Sequence, residues 1–277
     1  MTANLPLEPR WPRMIETTST PGHLSGALRA GVVLIALMAR LAIVAPRLSQ
    51  PLDDPDNYLP LARSLALGRG FEFNGHPTAY RPPLYPLVLA PLVAGLGERL
   101  AWGVFALHLA LGAATVLLVE RSARGWGMGS YQALLAAVIV ACDPVLVVQS
   151  RSVMTETLTA FLIAAALAGL ATRAGPPWRA GAIGGFWFGL AALCRPSTLP
   201  AAGFAAVSAL AFGPGSATER VTRSLALALA TLVTLRPWAA RNAVVLGTPV
   251  WTTTHGGYTL ALANNEVYYA EVVNGRP

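Results

Sequence analysis

"LAWGVFALHLALGAATVLLV", residues 100–119, runs for 20 residues without a charged side chain. Wound as a helix at about 1.5 Å per residue, it covers roughly 30 Å, the thickness of a bilayer's hydrocarbon core. Further charge-poor windows lie at about 28–47, 129–148, 156–173, 180–196, 198–214 and 222–238. The series predicts an all-α fold, a polytopic transmembrane helix bundle of about seven spans. Composition agrees. Hydrophobic residues make up 54% of the chain and charged residues 12%, against about 25% charged in a typical soluble domain. Mean hydropathy is +0.52. The net charge of +7 comes from arginines scattered between apolar runs. That pattern sets membrane topology and excludes a nucleic-acid patch. Cys142 and Cys194 both sit in apolar runs and are expected to be small buried hydrophobes, with no disulfide or metal framework. Residues 1–25 are polar and Pro-rich and are expected to form a disordered tail, leaving 26–277 as the membrane domain.

Arginine placement orients the bundle. Arg121 with Arg124, Arg173 with Arg179, and Arg220 with Arg223 fall in alternate short loops, whereas the loops between them carry Arg151 and Arg195 singly. Positive charge favours the cytoplasm. The pairs and the N-terminal tail therefore belong inside, and the long first loop, 48–99, belongs outside. That loop runs against the trend by carrying Arg63, Arg69, Arg81 and Arg99. Within it, Tyr58, Leu61, Ala62 and Leu65 form a helical stripe, with Asn57, Arg63 and Ser64 opposite. Gly68 and Gly70 end it, predicting a helix lying in the interface. "PPLYPLVLAPLVAGLG" (82–97) is apolar, but it is short and broken by prolines, which suits an interfacial or re-entrant piece rather than a span.

The polar residues cluster in a few places. "LDDPDNY" (52–58) gathers Asp53, Asp54 and Asp56. Asp54 suits a helix N-cap, with Pro55 at the first helical position and Asp56 in the first turn. The three acids exceed what a cap needs. Such carboxylates also suit a divalent cation or a general base. In "HPTAYRPPLYPL" (76–87) His76 is expected to be a polar loop residue. Arg81 is either an interfacial snorkelling arginine or a fixed fork for a phosphate. Glu156, in "TET", is either a first-turn acid or a second carboxylate facing the Asp53–Asp54 loop. Asp143, before Pro144, is placed to cap a helix after a break. Arg195 ("CRPS") and Arg236 ("RPWAARN") fall on the outer side. Arg40, inside the first window, is expected to snorkel outward or face a cavity.

Taken in order, these features resemble the GT-C superfamily of membrane glycosyltransferases, nearest the protein O-mannosyltransferase and aminoarabinose-transferase type. The resemblance rests on Asp54 four positions before Tyr58, then "LALGRG", "RPPLYP", Glu156, "CRPS", "RPWAARN", "GTPV" and "LALANNEVYY", over roughly 28–270. Arg81 stands where the aminoarabinose type has lysine, and Pro55 where it has an acid. The resemblance implies a transferase of the cell inner membrane. It takes a sugar from a polyprenyl-phosphate donor to a lipid, glycan or protein acceptor at the periplasmic or outer face. Asp54 and Glu156 are then the catalytic carboxylates. Arg81, Arg195 and Tyr58 bind the lipid-phosphate substrate, and Asp53 and Asp54 are the ligands for a divalent cation, Mg or Mn, if one is used. It also implies that the chain is the N-terminal part of a longer GT-C fold. The alternative is a transporter or flippase for a lipid-linked or anionic solute, which should carry charges near mid-membrane and inverted repeats. A non-catalytic scaffold is a third reading.

Overall fold

A computed structural model describes residues 26–172 and 174–275. The N-terminal tail and Arg173 lie outside the described residues. The chain order is α1 (Gly26–Val44), α2 (Tyr58–Ala66), a hairpin of β1 (Glu72–Phe73) and β2 (His76–Pro77), α3 (Leu84–Leu96), α4 (Leu100–Gly125), α5 (Ser130–Ala141) and α6 (Pro144–Gln149). There follow α7 (Glu156–Leu170), α8 (Pro177–Cys194), α9 (Leu199–Phe212), α10 (Ala217–Leu246), α11 (His255–Ala263) and α12 (Glu266–Val273). Two stretches, Gly26–Arg47 and Leu84–Gly125, are long and apolar enough to cross a membrane; α5, α7 and Pro196–Phe212 are apolar but shorter. The outward faces carry Leu34, Met38, Ile139, Phe204 and Leu229, each more than half exposed. Such a surface suits lipid better than water.

Packing in the bundle's centre depends on small residues. Gly181, Gly185 and Gly189 recur every fourth position on α8. A Cβ on Gly181 would overlap the carbonyl of Arg223, and one on Gly185 the carbonyl of Leu227. A Cβ on Gly189 would meet Thr234. Backbones of α8 and α10 therefore touch, and the Thr231 hydroxyl donates to the Gly185 carbonyl at 3.1 Å. Gly184, on the other side of α8, gives the same close approach to Leu170 of α7. This is how membrane helices associate when lipid removes the hydrophobic drive.

Several details depart from the sequence expectations. The 129–148 window breaks at Cys142 and Asp143. Asp143 then caps α6, its Oδ1 accepting from Leu146 N at 2.8 Å, as anticipated. Cys142 is exposed there, while Cys194 is buried. Arg40 does not snorkel. It is 2% exposed, donates from Nη1 to the carbonyls of Ala36 and Ala141, and lies against Gly112, which has no side chain to collide with it. Helix α10 is 30 residues long, because a Ser216–Glu219 capping box starts it ahead of the apolar window. The hairpin was not anticipated. Its turn is Asn74–Gly75, both with positive φ (52° and 79°), the signature of a type I′ turn.

The connections gather at two ends. At one, the first loop, the α6–α7 connection and the α8–α9 connection meet. At the other, the ends of α4, α7 and α9 and the loops after them line a common cavity. The three loops with paired arginines are therefore at one end, and the acidic loop is at the other.

Candidate active site

Helix α2 begins at Tyr58, not at Pro55. Asn57 precedes it in the left-handed region (φ 60°), and Asp54 reaches forward from outside the helix. Asp54 Oδ1 accepts from Tyr58 N at 2.9 Å and Oδ2 from Leu59 N at 2.8 Å. Both oxygens thus satisfy amides that have no partner within the helix, and both keep lone pairs for another group. The carboxyl is half-buried. Burial raises its pKa above the ordinary value, against the pull of the Leu59 and Tyr58 amides, with neighbouring Asp56 adding to the rise. Ser64 turns inward rather than outward, donating to the Gly70 carbonyl at 3.0 Å and closing the loop as Gly68 and Gly70 end the helix.

The three aspartates have three different partners. Asp53 is exposed and ties the loop to the segment before α7. Its Oδ2 accepts from the Ser152 hydroxyl at 2.8 Å, and its carbonyl accepts from Val153 N at 2.7 Å. Asp56 pairs with Arg81: Nη2 donates to Asp56 Oδ1 at 2.9 Å and Nε to the Asp56 carbonyl at 3.0 Å. The same guanidinium lies 5.6 Å from the Tyr58 ring centroid and 5.0 Å from that of Tyr80. Arg81 therefore has a partner within the protein and stiffens the loop. Tyr58 is 3% exposed, beneath Arg81 and edge-on to Tyr85 at 5.3 Å. A cavity of about 400 Å³ is lined by Asp56, Asn57, Phe73, Thr78, Tyr80 and Arg81.

Glu156 opens α7 at this same end. Its Oε1 forms an ion pair with Arg195, and its Oε2 is buried with no partner. A buried carboxylate oxygen without a donor is costly unless something else fills the position. Arg195 is more accessible than Arg81, its side chain 43% exposed against 14%. Asp54 and Glu156 both lie within electrostatic reach of Tyr85, so the carboxylates expected to converge are brought to one end. Arg236 is exposed on α10, and His76 is exposed in the hairpin.

Several supporting residues escaped the sequence reading. His108 of α4 is fully buried, 2.9 Å from the Tyr85 hydroxyl through Nε2 and 3.0 Å from the Ser150 carbonyl through Nδ1. A carbonyl only accepts, so Nδ1 carries the proton and Nε2 accepts from Tyr85. His108 is a polar residue inside the charge-free run 100–119, and that was the available signal. Arg241 donates to the carbonyls of Thr78 and Phe71 at 2.9 and 2.8 Å, Asn242 to Val250 at 2.7 Å, and Trp238 to Thr252 at 2.8 Å. "RPWAARN" thus braces the first loop and the segment before α11.

Among the described residues, no group of three or more His, Cys, Asp or Glu side chains gathers as metal ligands. Asp53 and Asp54 point to different partners, and Asp54 has an amide on each oxygen. The pair does not fit a ready cation site, which wants several convergent oxygens.

A family model for dolichyl-phosphate-mannose-protein mannosyltransferases matches residues 80–240, more than half of the chain. The chain belongs to that family. It is a membrane-associated glycosyltransferase of the GT-C type. The matched region holds Arg81, Glu156, Arg195 and Trp238 and begins after Asp54. No curated protein and no solved structure is detectably similar.

If Asp54 is the base, its raised pKa sets the pH profile. The ionised form is active, so kcat/KM falls as pH drops through that pKa. The acid limb is expected above the ordinary aspartate value of about 3.9. Asp56→Asn removes a like charge and should move the limb to lower pH, a shift measurable from initial rates across a pH series.

Proposed function

We propose that the protein moves a sugar, hexosyl or pentosyl, from a polyprenyl-phosphate donor to a hydroxyl of a lipid, glycan or protein. The reaction takes place at the outer face of the inner membrane. The observation that carries this reading is the gathering of Asp54 and the Glu156–Arg195 pair at one end of an apolar bundle. The donor is half lipid and half sugar phosphate, so its reacting carbon is held at the membrane surface. A transporter would need charges at mid-membrane; among the described residues, the deeply buried polar side chains Arg40 and His108 both have partners within the bundle.

In the reaction the acceptor oxygen attacks the anomeric carbon. The carbon–oxygen bond to the phosphate breaks, and the lipid phosphate leaves with the electron pair. Asp54 takes the acceptor's proton. Arg195 neutralises charge growing on the phosphate, and Glu156 holds Arg195 while its second oxygen accepts from a sugar hydroxyl. Arg81 and Tyr58 fix the loop that carries Asp54. The arginine-paired loops and the N-terminal tail are cytoplasmic.

The test supplies radiolabelled polyprenyl-phosphate mannose, and in parallel the pentose form, to membranes holding the protein. Label should pass from the polyprenyl fraction to an acceptor at a rate above control membranes. Label that stays on the carrier for both sugars contradicts the proposal.

A further inference from the structure

The second cavity lies at the end opposite Asp54 and Glu156. It measures about 870 Å³ and is walled by Leu167 and Leu170 of α7, Phe188 of α8, and Phe204 and Phe212 of α9. Its lining is mostly apolar, and α9 leaves Phe204 75% and Phe212 86% exposed beside it. Among the described residues, charged side chains line it only at the mouth, where α10 begins. There Glu219 Oε2 accepts from Ser216 N at 2.7 Å and closes the capping box. Arg223 lines the cavity, and Arg220 is three residues before it. Their Nη1 atoms donate to the carbonyls of Pro214 (3.1 Å) and Ala211 (3.5 Å), and the Nε of each is buried with no partner. Neither is in an ion pair among the described residues. Arg223, near Glu219 but in no ion pair, thus sits at the mouth of an apolar slot, with Arg220 one turn before it, at the end assigned to the cytoplasm.

The occupant this calls for has an anionic head and an apolar tail, and lies in the leaflet where anionic lipids attract arginine. The sugar donor does not meet the need. Its phosphate must reach Arg195, and the 15 residues of α7 put about 22 Å between the two ends. We propose that the cavity between α7 and α9 holds an acyl chain of an anionic phospholipid, with its phosphate on Arg220 and Arg223.

The experiment reconstitutes the purified protein in phosphatidylcholine vesicles containing phosphatidylglycerol and counts retained lipids by native mass spectrometry. Phosphatidylglycerol should be retained over phosphatidylcholine. Arg220→Gln with Arg223→Gln should cut that preference by about 30-fold, from two arginines each attracted to an anionic head. The double lysine variant should keep most of it, which separates charge from loss of fold. Ser208→Trp, which fills the cavity, should displace the lipid with both arginines intact. Equal retention of the two lipids, no effect of the glutamines, or preferential uptake of polyprenyl phosphate would each overturn the assignment. None of these readings requires transfer activity, so a failed sugar assay leaves this test standing.

Discussion

Asp54→Asn should lower sugar transfer by about two to four orders of magnitude, the usual contribution of a positioned general base. The substitution keeps the shape of the side chain and one amide-accepting oxygen. The second contact, to Leu59 or Tyr58, is lost, at a cost of about 1 kcal/mol. The helix start should therefore survive, and a melting curve in detergent should shift by only a few degrees. Asp56→Asn is the informative comparison. It frees Arg81 and loosens the loop, so it should cost far less in kcat than Asp54→Asn while leaving a measurable rate. Equal losses in the two variants would mean that the loop's order, rather than one carboxylate, governs the rate.

Gly185→Ile should have the largest effect on stability. The residue lies at the centre of the α8–α10 contact, where even a Cβ would overlap the Leu227 carbonyl and crowd Ala230. Backbone cannot rotate aside as a side chain can, so the two longest-packed helices must separate. Loss of at least about 3 kcal/mol is expected, at the upper end for overpacked cores, read as a lower melting temperature and poor recovery of folded protein. Gly185→Ala should fall between this variant and the parent. Gly203→Ala, on α9 with nothing within 4 Å of its Cβ, should be neutral or stabilising by up to about 1 kcal/mol.

The contrast between these glycines shows what was legible in the sequence. Charge-free windows located α1, α7, α8 and α9 to within a few residues, because lipid forbids unpaired charge along a span and apolar runs report this directly, but they left α3 outside every window and missed the break between α5 and α6. They could not locate helix ends set by side-chain caps. Ser216 and Glu219 start α10 inside a polar stretch, and Asp54 caps α2 from four residues away. Asp54, Glu156 and Arg195 were recognisable as chemistry-bearing residues. The long-range pairings were not, because each spans the chain: Asp53 with Ser152, Glu156 with Arg195, Arg241 with Phe71 and Thr78. Arg81 illustrates the limit. Its setting between an aromatic and two prolines marked it as fixed in place, but only the folded loop reveals Asp56 as the group it holds. The hairpin at Asn74–Gly75 was a missed local signal, since that dipeptide favours the tight turn without tertiary help.

The proposed reaction is a single displacement at the anomeric carbon, assisted by Asp54. The most direct measurement is the anomeric configuration of the transferred sugar, determined by NMR on product made by purified protein from a polyprenyl-phosphate donor of known configuration. Inversion is the expected outcome. A product of retained configuration would require two displacements through a covalent glycosyl-enzyme, and would contradict Asp54's role as base.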